Sequence, residues 1–153
     1  MLRFSLLSAF ATVAVVVAPL MSASAGQKNY APTYQTATSH AFGVLGSADA
    51  LSLNTNQISQ GNLSLGGKKV YQDNYAPTHQ TATSGAFAFG GDASATSVNT
   101  NLVEQGNGAL GKKVFQTNSA PTTQSAVSSA VSIGGDASAI SANANGVSQG
   151  NIH

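Results

Sequence analysis

The sequence predicts an all-β fold, a stacked β-arch or β-solenoid of three repeats, on three observations. Gln-Gly-Asn recurs at Gln60, Gln105 and Gln149, and Ala-Pro-Thr at Ala31, Ala76 and Ala120, so both markers return after 45 and then 44 residues. A fixed period of this length is the mark of a repeat architecture. Within each copy Ala, Val, Thr, Ser and Phe alternate with period two while Gly or Pro marks the ends, which is the pattern of strands. No stretch carries apolar residues at i, i+3, i+4 and i+7, and Ser, Thr, Asn and Gly are poor helix fillers.

The elements follow in chain order. Arg3, the apolar run LLSAFATVAVVVAPLM and then Ala23-Ser24-Ala25 have the three parts of a secretory signal peptide, so residues 1–25 are expected to be removed after Ala25. The run is short for a bilayer span and Pro19 interrupts it, so no membrane span is expected after cleavage. Repeat 1 then occupies residues 26–66, repeat 2 residues 67–110 and repeat 3 residues 111–153. Asn29–Asn62 and Asn74–Asn107 agree at 22 of 34 positions, and the second and third copies at 21 of 34, which makes the copies directly comparable position by position. In repeat 2 the first strand is expected over Gln80–Phe89, a turn at Gly90-Gly91-Asp92, and a second strand from Ala93 to about Gln105, broken by Gly106-Asn107-Gly108. A short third strand is expected over Lys69–Gln72 and Lys113–Gln116, with Asn-x-Ala-Pro closing the unit because proline cannot continue a central ladder.

Composition narrows the class. After loss of residues 1–25, Lys28, Lys68, Lys69, Lys112 and Lys113 balance Asp49, Asp73, Asp92, Glu104 and Asp136. A chain with few charges and none in excess resists self-association weakly, and it lacks the basic surplus that nucleic acid requires. Leu, Ile, Val and Phe number only 23 in the remaining 128 residues, too few for an ordinary oily core. There is no cysteine to compensate. Disorder before assembly is compatible with this content, although disorder normally also requires high net charge.

Alternate residues on a strand point to opposite faces, so the repeat can be sorted. One face of the second strand reads Ala48, Ala50, Ser52, Asn54, Asn56, Ile58, Gln60. It repeats as Ala93, Ala95, Ser97, Asn99, Asn101, Val103, Gln105 and as Ala137, Ala139, Ser141, Asn143, Asn145, Val147, Gln149. Six of these seven positions are the same in all three copies, whereas no position of the opposite face from Asp49 to Ser59 is. The first strand behaves alike, with Gln35, Ala37, Ser39 and Ala41 returning at Gln80 and Gln124 and the residues that follow them. Small residues let sheets approach, and amides stacked on identical amides satisfy one another in register. A self-assembly ladder of Gln35, Asn54, Asn56, Gln60, Gln80, Asn99, Asn101, Gln105, Gln124, Asn143, Asn145 and Gln149 is therefore expected.

Gln-Gly-Asn closing a strand, amides and small residues repeating on one face, a signal peptide, no cysteine and low charge together resemble the repeats of bacterial functional amyloids, the curlin type and more loosely the Fap type. The resemblance implies a secreted subunit whose solenoids add end to end into a cross-β fibre of the biofilm matrix or cell surface. It implies the chain itself as partner, with a nucleator or exporter and a surface polysaccharide as further candidates.

No enzyme chemistry emerges. His40, His79 and His153 share no repeat position, no Ser/His/Asp set recurs, and there is no phosphate loop. Asp92 and Asp136 suit turns for backbone reasons, and the full glycine-aspartate calcium register is missing, so no metal or other cofactor is expected. The Lys-Lys pairs are expected to keep the connectors soluble and blunt an edge. Tyr30, Tyr34, Tyr71 and Tyr75 are expected to form packing or cross-strand pairs. The alternative function is a secreted β-solenoid binding module with a flat Thr face, from Thr36-Ala37-Thr38 and Thr81-Ala82-Thr83, turned to ice or polysaccharide. A disordered secreted linker is the third reading.

Overall fold

The computed structural model describes residues 7–17 and 26–153. The expected cleavage point after Ala25, with Arg3 and Pro19, lies outside them. The fold is all-β. Strand β1 (Leu7–Val17) is followed by three strands from each repeat: β2 (Gly26–Tyr30), β3 (Thr33–Val44) and β4 (Ala48–Leu65); β5 (Val70–Tyr75), β6 (Thr78–Phe89) and β7 (Ala93–Leu110); β8 (Val114–Ser119), β9 (Thr122–Ile133) and β10 (Ala137–Ile152). They form three parallel sheets, ordered β1-β4-β7-β10, β2-β5-β8 and β3-β6-β9. Every repeat is one rung, and like strands lie on like strands.

The rung closes because its two sides match in length. The short strand and the first long strand, joined across Ala-Pro, together oppose the single second strand, and side-chain hydrogen bonds cross the gap between these layers. Gln35 Nε2, for example, donates to the Thr55 carbonyl at 2.8 Å, and Asn29 Nδ2 to the Gly61 carbonyl at 3.2 Å. The prolines sit at the corner, where the flanking residues keep the ladder: Ala31 N–H donates to the Tyr75 carbonyl and Thr33 N–H to that of Pro77. Proline's missing donor therefore costs little there.

Burial alternates along the strands of repeats 1 and 2 and matches the face assignment made from sequence. The interior is made of amides, hydroxyls and alanine. Ala48, Ala50, Ala86, Ala88, Ala93 and Ala95 cluster at one end, while Ile58 and Val103 pack on Ala31 and Ala76 at the proline corner. That corner explains why position 58/103/147 varies between Ile and Val: it fills a space and makes no hydrogen bond.

Two expectations need correction. The second strand is not broken at Gly106-Asn107-Gly108, since β7 runs on to Leu110, because Gly61, Gly106 and Gly150 stack on one another in register and Asn107 points inward. The short strands extend past Gln72 and Gln116, to Tyr75 and Ser119, and the first long strand begins two residues earlier, at Thr78. Leu7–Val17, within the apolar run, forms β1, paired parallel to β4 from Leu7 opposite Ala50 to Val17 opposite Gln60.

The turn between the long strands must stack as tightly as the strands do. Gly90 and Gly134 hold φ at 75° and 86°, where glycine carries no steric penalty, but the equivalent residue of repeat 1 is Leu45, at 56°. The next position is glycine in every copy. A Cβ on Gly91 would lie 2.5 Å from the carbonyl group of Gly46, and one on Gly135 2.5 Å from the Gly91 oxygen.

Candidate functional site: the amide ladders

The twelve amides expected on the ladder all project between the two layers, and in repeats 1 and 2 all eight are buried: Gln35, Asn54, Asn56, Gln60, Gln80, Asn99, Asn101 and Gln105. Each of these asparagines in repeats 1 and 2 uses its Nδ2 twice. Asn54 Nδ2 donates to the Thr81 carbonyl at 2.7 Å and to Asn99 Oδ1 at 2.8 Å; Asn99 Nδ2 donates to the Ser125 carbonyl at 2.6 Å and to Asn143 Oδ1 at 2.9 Å. Asn56, Asn101 and Asn145 repeat the axial contacts at 2.6 and 2.8 Å, with the second hydrogen going to the hydroxyls of Thr78 and Thr122. A carbonyl on the facing layer can only accept, so of the two ends of the amide only the nitrogen can face it, which fixes the way Asn54 and Asn99 point.

The glutamines run the other way. Gln80 Nε2 donates back to Gln35 Oε1 and Gln124 Nε2 back to Gln80 Oε1, at 2.6 and 2.7 Å. Gln105 donates to Gln60 and Gln149 to Gln105, both at 2.7 Å. Asparagine ladders thus donate from each repeat to the next, and glutamine ladders from each repeat to the one before.

The sequence reading missed three ladders. Gln27, Gln72 and Gln116 form one, at 2.7 and 2.8 Å. Asn29, Asn74 and Asn118 form a second, and Asn62, Asn107 and Asn151 a third. The last two also bond across the layers, as from Asn62 Nδ2 to Asn74 Oδ1 at 2.9 Å. The signal was in plain view, since all three positions are the same in every copy. In sequence they fall in the connector and at the strand end. Serine adds a further row, with Ser39 on Ser52 at 2.9 Å and Ser84 on Ser97 at 2.8 Å.

The ladders end unevenly. In repeat 3 the same inward positions lose cover: they are half-buried in β8 and β9, Gln124 included, and exposed in β10, Asn143 and Asn145 included. At the other end Asn54 Oδ1 and Asn56 Oδ1 are buried without a hydrogen-bond partner. There β1 aligns Ala11 and Val13 with Asn54 and Asn56, residue types that carry no donor in the side chain.

The outer faces carry stacked rings. Tyr30 lies on Tyr75 with centroids 5.6 Å apart, Tyr34 on His79 at 6.0 Å, Phe42 on Phe87 at 5.4 Å and Tyr71 on Phe115 at 4.9 Å. These are the cross-strand pairs expected of the tyrosines. Lys69 Nζ sits 4.8 Å above the Tyr71 ring, a cation–π contact rather than a purely solvated charge. Thr36 aligns with Thr81 and Thr38 with Thr83, and both rows end in repeat 3 at Ser125 and Val127. Asp92 Oδ1 accepts the Asp136 N–H at 3.0 Å, so this aspartate ties one turn to the next. Among the described residues no three of His, Cys, Asp and Glu come together.

The fold and its ladders define a class: a three-rung parallel β-solenoid with a hydrogen-bonded polar interior. Compared with protein-family models, curated proteins and solved structures, the chain matches none.

Proposed function

We propose that this protein is a secreted structural subunit that self-assembles into cross-β fibres of a cell surface or matrix, each copy extending the solenoid of the last. One observation carries the reading: the interior of the rung is completed by the rung beside it, and the interior positions of repeat 3 are left half-buried in β8 and β9 and exposed in β10. A parallel strand edge with unmet N–H and C=O groups is a template for another strand. Amide ladders multiply that attraction, since each buried amide is satisfied by its identical neighbour. The even balance of Lys28, Lys68, Lys69, Lys112 and Lys113 against five carboxylates leaves little long-range repulsion between copies.

The test is fibre diffraction on the exported protein, fresh and after incubation. Reflections at about 4.7 Å along the fibre and about 10 Å across it are expected. A chain that stays monomeric across concentration, pH and seeding refutes the reading. The alternative, a small Thr-bearing binding face for ice or polysaccharide, draws on the two aligned rows at Thr36 and Thr38, and predicts activity in the monomer without fibres.

A further inference from the structure

Resting on that reading, we infer that the joint between copies is polar and in phase: repeat 3 of one copy receives repeat 1 of the next, and the buried acceptors Asn54 Oδ1 and Asn56 Oδ1 are the docking points for Asn143 and Asn145. The partner at this face is a second copy of the same chain.

The unpaired atoms dictate the direction. Asparagines donate toward higher repeats, so the ladders 54/99/143 and 56/101/145 present oxygen at the repeat 1 end and nitrogen at the repeat 3 end. Buried acceptors without donors are costly, and both of those at Asn54 and Asn56 lie at that end. Glutamines present the reverse, with Gln60 Nε2 at the repeat 1 end and Gln149 Oε1 at the other. A joint of repeat 3 on repeat 1 therefore matches donor to acceptor in both sets of ladders. A joint of like ends sets nitrogen on nitrogen in one set and oxygen on oxygen in the other, and it also reverses the strands that the solenoid keeps parallel.

Shape agrees with chemistry. Within the chain each GG turn seats its second glycine against the carbonyl group of the preceding rung, Gly91 on Gly46 and Gly135 on Gly91. The equivalent residue of repeat 1, Gly46, is glycine too. The joint sets it against the Gly135 carbonyl of the copy before. Charges raise no objection: the rows 49/94/138 and 59/104/148 bring serine against the incoming Asp49 and Ser59. In the described chain β1 holds the β4 edge of this face, so loss of the leader opens it.

The experiment uses two single-cysteine variants of this cysteine-free protein, Asp49→Cys and Ser138→Cys, both on the outer face. Parallel neighbours lie about 4.8 Å apart, within disulfide reach, whereas positions 49 and 138 of one copy are two rungs, about 10 Å, apart. Exported proteins are assembled alone and as an equal mixture, oxidised mildly, and run without reductant. The mixture should give dimers linked 49 to 138, and neither variant alone should. Fibres that keep the 4.7 Å reflection but give dimers of like variants, or no dimers, overturn the polar joint and leave the fibre reading intact. Absence of fibres and of the reflection overturns both. Gly46→Ala supplies a second measurement: the isolated chain should retain its β-rich circular dichroism and protease resistance while elongation slows about tenfold or more. Unchanged elongation counts against the joint.

Discussion

Replacing Asn99 by Asp tests the interior directly, because the change is nearly isosteric and removes only donors. Asn99 is fully buried at 0% exposure. Its Nδ2 donates at 2.6 Å to the Ser125 carbonyl and at 2.9 Å to Asn143 Oδ1, while its Oδ1 accepts from Asn54 at 2.8 Å. A carboxylate turns an oxygen on both acceptors. The cheaper state is the neutral acid, and holding a carboxyl of ordinary pKa about 3.9 protonated at pH 7 costs about 4 kcal/mol. A neutral acid has one O–H for two acceptors, so one is orphaned, at a further cost of about 1–3 kcal/mol. The sum, about 5–7 kcal/mol, is comparable to the whole stability of many small domains. Thr100→Asp, one residue on, lies on the outer face between Thr55 and Ala144 in register and should cost about 1 kcal/mol or less.

Urea unfolding and protease resistance of the two variants at pH 7 and pH 3 supply the assay. Burial raises the introduced carboxyl's folded pKa above its unfolded value. The penalty is therefore absent below about pH 3.9 and grows as pH rises toward the folded pKa. The Asn99→Asp variant should recover most of its stability at pH 3, keeping only the loss from its unpaired acceptor. Equal damage from both substitutions means that both faces are dry. Little damage from either means that the segment is unpacked and refutes the ladder.

Elongation should slow more when pH leaves neutrality than when moderate salt is added, because acid leaves Lys28, Lys68, Lys69, Lys112 and Lys113 unopposed while salt has little net charge to screen; light-scattering kinetics would show it, and strong inhibition by salt at pH 7 contradicts it. Leu45→Gly should stabilise the chain by about 1 kcal/mol, since Leu45 holds the left-handed φ of 56° that Gly90 and Gly134 adopt without strain, and its side chain is 70% exposed; a lowered thermal midpoint contradicts it.

Several features were legible in residues alone. The period of 45 and then 44 fixes the number of rungs, and identity along Ala48, Ala50, Ser52, Asn54, Asn56 and Gln60 marks the inward face, because a pleat of period two separates the sides and only stacked positions must remain alike. The same rule also applied to Gln27, Asn29 and Asn62, but these lie in segments resembling connectors. What makes them ladder positions is closure of the rung, which brings Asn29 Nδ2 to 3.1 Å from Asn62 Oδ1 across 33 residues. Tertiary structure likewise decided that Gly106-Asn107-Gly108 stays in the strand, since neighbouring rungs supply backbone partners that override glycine's local tendency. It alone set the ladders' polarity. An amide turns its nitrogen toward the nearest carbonyl, and where that carbonyl lies depends on how the two layers face each other, a relation that no local run of residues encodes.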